Sequence, residues 1–138
     1  MISTVAVGTD GTETAAEAVK QAAEFARRFD AELVLLSAFK EGPPPATGVD
    51  ETQWAHNPAA QLRTILERTE EELRNEGLKC KTIVDEGDPA DVLVRLAAEC
   101  GADVLVIGNK GIQRRVLGSV PNSVTHKADC SVFVVKTT

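Results

Sequence analysis

The sequence predicts an α/β fold, a doubly wound parallel sheet of five strands with helices on both faces, in one domain spanning residues 1–138. Three observations predict it. Short β-rich runs alternate with longer stretches of helical period along the chain. The run Leu33 to Phe39, LVLLSAF, is almost unbroken apolar, as expected of a strand covered on both faces. Over 138 residues, 43% hydrophobic and 26% charged with only 4% aromatic, there is enough aliphatic material for one sizeable core.

The elements follow in order. Thr4 to Val7 forms a first strand that ends at Gly8-Thr9-Asp10-Gly11. Thr14 with Glu17 three residues later reads as a capping box opening a helix. Ala15, Ala18, Val19, Ala22, Ala23, Ala26 and Phe29 make its apolar stripe, leaving Glu17, Lys20, Gln21, Glu24 and Arg28 to solvent. Glu32 to Phe39 is the second strand. Lys40 to Asn57, with its GPPP at Gly42 to Pro45, has too many breakers for an element and is the one long loop. Asn57-Pro58 then caps and opens a helix to Glu76, with Leu62, Ile65, Leu66, Thr69 and Leu73 inward and Gly77 as its stop.

Cys80 to Val84 is a third strand, and Asp88-Pro89 caps and opens the helix running to Glu99. Val104 to Gly108 is a fourth strand leading into GNKGIQRRVLGS; Ser119 caps a short helix to about Ala128, and Ser131 to Val135 is the last strand. Ligands of such folds sit outside the carboxyl ends of the strands, where the winding reverses. The loops at Gly8 to Gly11 and Gly108 to Ser119 are therefore the candidates, and they are neighbours if the strand order is 3-2-1-4-5.

Composition excludes several functions. A net charge of −6 argues against nucleic acid as partner, because duplex binding needs clustered Lys and Arg. No stretch of 18 apolar residues and no signal-peptide pattern is present, so the expectation is a cytoplasmic protein with no membrane partner. Cys80, Cys100 and Cys130 are widely spaced and read as small core residues rather than a disulfide framework or a metal site. His56 and His126 lack further ligands at useful spacing and read as solvent-facing; no structural metal is expected.

The most informative stretch is Gly108-Asn109-Lys110-Gly111 followed by Gly118-Ser119. Its glycines let N–H groups approach phosphate oxygens, and the following helix dipole favours an anion; equally, the glycines make tight turns and Ser119 simply caps. It is neither G-x-x-x-x-G-K-[ST] nor G-x-G-x-x-G, which removes the main support for a P-loop hydrolase or a dinucleotide enzyme. Asp10 either accepts hydrogen bonds from a base or ribose or holds its own turn. Arg114 and Arg115 either meet a phosphate or form an exposed helix turn.

Together, VAVGTDGTETAAEAV, LVLLSAF, EGDPADVLVRLAAE, VLVIGNKG, LGSVPNSV and SVFVVKTT resemble the universal stress protein family over essentially the whole chain. The resemblance implies the strand order 3-2-1-4-5 and a homodimer formed around the last strand, at Val132, Phe133, Val134 and Val135. It also implies adenine-nucleotide binding through G-x-x-G, nine residues and G-[ST]. Carried over by position, Gly108, Gly111, Gly118, Ser119 and Val120 surround the phosphates and ribose, while Gly8, Thr9, Asp10, Ala38 and Ile107 line the base and ribose pocket. This sequence departs in the loop: only Ile112 to Leu117 separate Gly111 from Gly118, three residues fewer than the pattern. The shorter loop counts against a triphosphate and still admits a smaller adenine nucleotide, with Arg114 or Arg115 meeting its charge; the resemblance extends to members with this GN-x-G and GSVP wording that bind cyclic AMP.

The function expected is a non-catalytic, adenine-nucleotide-binding (ATP, AMP or cyclic AMP, with or without Mg²⁺) regulator in the stress response, with a protein partner of unknown identity. The alternative is a dimeric interaction protein of the same fold whose short loop closes the site. A weak ATPase or self-phosphorylating protein would use Ser119, Ser123 or Thr9, but no general base and no Mg²⁺ ligand pair is placed for it. A phosphoacceptor domain built on Asp10, Asp85 and Lys136 lacks the paired acids expected after the first strand.

Overall fold

The computed structural model describes residues 1–11, 13–40, 58–110 and 117–137. Five strands, β1 (Thr4–Gly8), β2 (Glu32–Phe39), β3 (Cys80–Glu86), β4 (Val104–Lys110) and β5 (Ser131–Thr137), form one sheet in the order β3-β2-β1-β4-β5. Every neighbouring pair is parallel. Four helices, α1 (Glu13–Phe29), α2 (Pro58–Asn75), α3 (Pro89–Glu99) and α4 (Ser119–Lys127), are interleaved with the strands.

Side-chain alternation along each strand explains why the strands read as continuous apolar runs. Val5, Val7, Leu33, Leu35, Val104 and Val106 point to one face, where they meet Ala18, Ala22 and Ala26 of α1 and Leu73 of α2. Ala6, Val34, Leu36, Leu105 and Ile107 point to the other, where they meet Leu93, Leu96 and Ala97 of α3 and Val124 of α4. Leu33, Leu35, Leu36 and Leu105 are fully buried, each worth about 2–3 kcal/mol of transfer free energy. The alanine stripe of α1 lets that helix lie close on the sheet. Helices α1 and α2 share one face and α3 and α4 the other, so the winding reverses between β1 and β4 and opens a crevice at their carboxyl ends.

The structure corrects several local expectations. Helix α1 begins at Glu13, so Thr14 lies inside its first turn instead of capping it. Ser119 is the first residue of α4, and Gly118 holds the cap position. Phe29 is 48% exposed because it stacks on Phe25 rather than entering the core, at 5.6 Å between ring centroids. Ile65 is 45% exposed, leaving Leu66 and Leu73 as the buried anchors of α2. That helix stops at Asn75, one residue early, with Gly77 at φ +94° behind it. The third, fourth and fifth strands each run two residues further than the apolar pattern shows, because backbone pairing continues through polar residues at the sheet's carboxyl edge.

Of the cysteines, Cys80 is in the core on the α1 face of the sheet, while Cys100 and Cys130 are only half-buried against the core on the opposite face. Asp88 caps α3 as expected, accepting from the Asp91 N–H at 3.4 Å, with Pro89 opening the helix. The expected cap at Asn57, His56 and all of the long loop except Lys40 lie outside the described residues. Among the described residues, no helix is long and apolar enough to cross a membrane.

Candidate functional site

The residues that follow β1, Thr9 to Gly11, are tied down by hydrogen bonds. Thr9 donates its N–H to the Leu36 carbonyl at 2.9 Å, Ser37 Oγ donates to the Thr9 carbonyl at 2.5 Å, and the Gly11 N–H donates to Thr9 Oγ1 at 3.2 Å. Thr9 is thereby buried, with Asp10 exposed at the crevice rim. Gly8 matters for a steric reason: a Cβ there would stand 2.9 Å from Leu93 Cδ1, so its absence admits the α3 side chain to the pocket floor.

Across the crevice, Asn109 at the end of β4 reaches over to α4. Its Oδ1 accepts the Gly118 N–H at 2.9 Å, while its own carbonyl accepts from Thr137 Oγ1 at 3.1 Å. Thr137 is 3% exposed, and its methyl would lie 3.3 Å from a Cβ at Gly108. A hydrogen-bonded line thus runs from the last residue of β5 through β4 to the cap of α4.

Between these loops lies a cavity of about 530 Å³, within the range typical of small-molecule sites. Leu93, Ile107, Ala38, Val120 and Pro121 supply apolar wall, and Thr9, Asp10, Asn109, Ser119 and Thr137 supply polar groups. Gly8, Gly108 and Gly118 complete the wall where backbone comes closest. The amino end of α4 opens into this space, so its partial positive charge favours an anion there. Asp10 is the one ionisable side chain lining the cavity among the described residues. No group of three or more His, Cys, Asp and Glu that could hold a metal occurs among them.

Of the sequence-derived site residues, Gly8, Thr9, Asp10, Ala38, Ile107, Gly108, Gly118, Ser119 and Val120 all border this one cavity. Gly111, Arg114 and Arg115 lie outside the described residues. Ser123 is not on the cavity wall. Asp85 and Lys136 sit within β3 and β5 rather than beyond strand ends, and Asp85 is tied to Arg95 at 2.6 Å.

The family model of the universal stress protein family matches residues 1–136. The chain belongs to that family. A universal stress protein of Mycobacterium tuberculosis is 38% identical over 98% of this chain and 97% of its own length. One from Methanocaldococcus jannaschii is 32% identical, over 96% of this chain and 81% of its own. The crystal structure of a universal stress protein in complex with cyclic AMP superposes with a TM-score of 0.77 at 29% identity, covering 99% of both chains.

Pattern reading of this universal stress protein misses Ala15, Pro89, Leu93, Asn109, Pro121 and Thr137 on the cavity wall. Asn109 had the strongest available signal, lying inside the GNKG stretch. Leu93 and Thr137 had none, since they carry ordinary core and strand-end character and reach the cavity only through packing.

Proposed function

We propose that this universal stress protein binds an adenine nucleotide in the crevice between β1 and β4 and acts as a non-catalytic sensor in the stress response. The observation that carries the reading is the 530 Å³ cavity, apolar on one side and opening onto a helix amino terminus on the other. A 29% identical structure of the same family with cyclic AMP bound supports it. In this reading the base packs on Leu93, Ile107 and Ala38, Asp10 accepts from the ribose or base, and the phosphoryl group meets Ser119 and Val120. Gly8, Thr9, Gly108 and Gly118 allow the backbone to close around it, and Gly111, Arg114 and Arg115 complete the phosphate loop.

The test is a calorimetric titration of nucleotide-stripped protein with ATP, AMP and cyclic AMP, each with and without Mg²⁺. Saturable one-site binding is expected. Silence with all three ligands at two temperatures would leave the nucleotide-free interaction protein as the reading.

Homodimerisation through β5 belongs to the same proposal. This strand is an edge of the sheet, and Phe133 on it is 39% exposed. Val132 and Val134 are half-buried, whereas Val135 points into the core and would contribute only backbone. Replacing Phe133 by Asp is expected to shift the protein from dimer to monomer in sedimentation equilibrium, and an unchanged mass would exclude this edge as the interface.

A further inference from the structure

We infer that Asn109 sets the phosphate selectivity of the cavity by withholding the Gly118 N–H from the ligand; this rests on the nucleotide-binding reading above. A helix amino terminus offers an anion the N–H groups of its cap and first turn. In α4 that inventory is short. The Gly118 N–H is already donated to Asn109 Oδ1 at 2.9 Å, Pro121 has no N–H, and Asn122 begins the helical ladder by donating to the Gly118 carbonyl at 2.9 Å. Ser119 and Val120 remain, with the Ser119 hydroxyl.

Two N–H groups and one hydroxyl match the oxygens of a single phosphoryl group. A second or third phosphoryl needs a further donor beside them, and among the described residues at the amino end of α4 the next N–H is that of Gly118. Because the donor is a backbone N–H, the accepting atom of Asn109 has to be its oxygen, so the amide orientation is fixed by the bond itself. Thr137 holds Asn109 from behind, its buried hydroxyl donating to the Asn109 carbonyl at 3.1 Å. Asn109 is thus a positioning residue acting through Gly118, and the ligand class it favours is a nucleotide with one phosphoryl group.

The experiment compares AMP with ATP on the full chain by calorimetry, alongside hydrogen exchange of the Gly118 amide in ligand-free protein. Wild-type protein is expected to prefer AMP. Asn109→Ala frees the Gly118 N–H, and ATP gains on AMP by about tenfold, the low end for one hydrogen bond to a charged group. Asn109→Asp keeps the acceptor but adds a negative charge, so the ratio moves towards AMP. Gly118 exchange accelerates in Asn109→Ala and stays slow in Asn109→Asp.

Thr137→Val removes the hydroxyl while keeping the methyl beside Gly108, and moves the ratio in the Asn109→Ala direction with a smaller change. A ratio within about twofold of wild type in Asn109→Ala, or one moving the same way in Asn109→Asp, overturns the assignment. Unchanged Gly118 exchange in Asn109→Ala overturns the withholding bond itself, whatever the ligand. Failure of wild-type protein to bind either nucleotide overturns the nucleotide reading and the selectivity with it, while exchange still decides the bond.

Discussion

Gly87 sits at φ +141°, a conformation closed to ordinary L side chains, and a Cβ there would stand 2.8 Å from Val92 Cγ2. It makes the turn from β3 to the Asp88 cap of α3, donating its N–H to the Phe39 carbonyl at 2.9 Å. Gly87→Ala is therefore expected to cost about 1–3 kcal/mol in urea unfolding, and a neutral result would show that the turn can relax. Cys80 tests burial at the same scale. It is 4% exposed, and burial, helped by the nearby Glu70, pushes its thiol up to about 12. Alkylation of the native protein at pH 8 should leave Cys80 unlabelled until unfolding, read by mass spectrometry; rapid labelling would contradict its place in the core.

At the scale of elements, Asp103 joins the start of β4 to β1. Its Oδ2 accepts from the Ser3 N–H at 2.8 Å, the Thr4 N–H at 3.0 Å and Ser3 Oγ at 3.2 Å. The two backbone donors hold the Asp103 carboxyl below its ordinary value. A carboxyl depressed in the folded state stabilises at pH values above its unfolded value, near 3.9, and loses that contribution as pH falls through the folded value. Asp85, held low first by its hydrogen bond from Arg95, acts in the same direction. Asp103→Asn should flatten the acid limb of the stability curve below about pH 4, and a limb identical to wild type would show that Asp103 does not report on the β1–β4 seam.

The elements were also the legible part of the sequence. Strands covered on both faces read as apolar runs, and the alanine stripe of α1 suits close packing on a sheet, so element order and class are legible from pattern. Helix starts were less legible. Ser119 has the side chain of a cap, yet Gly118 takes the cap position, and the side-chain acceptor at that end comes from Asn109 on β4. Phe29 fits the α1 stripe by spacing but leaves the core for a stack with Phe25, whose other neighbour is Phe133 at 5.3 Å. The glycine and threonine positions of the cavity are readable because loops after β1 and β4 must meet at the switch point. The Asn109–Gly118 and Thr137–Asn109 bonds span 9 and 28 residues, so local sequence cannot contain them.

At the scale of the whole molecule, the proposed nucleotide site is the one crevice between the carboxyl ends of β1 and β4. A second cavity of about 380 Å³ lies between α1 and α2, floored by Val19, Ala23, Leu66 and Leu73 and bordered by the Arg27–Glu76 pair, and supplies an internal contrast. Binding in the crevice should also raise the melting temperature as nucleotide concentration rises, by mass action on the folded state. The most direct measurement is an amide NMR titration of the full chain with AMP. The account predicts saturable shifts concentrated at Gly8 to Asp10, Ile107 to Asn109 and Gly118 to Val120, with Leu66 and Leu73 unmoved. No shifts at saturating nucleotide, or shifts centred on the α1–α2 groove, would contradict it.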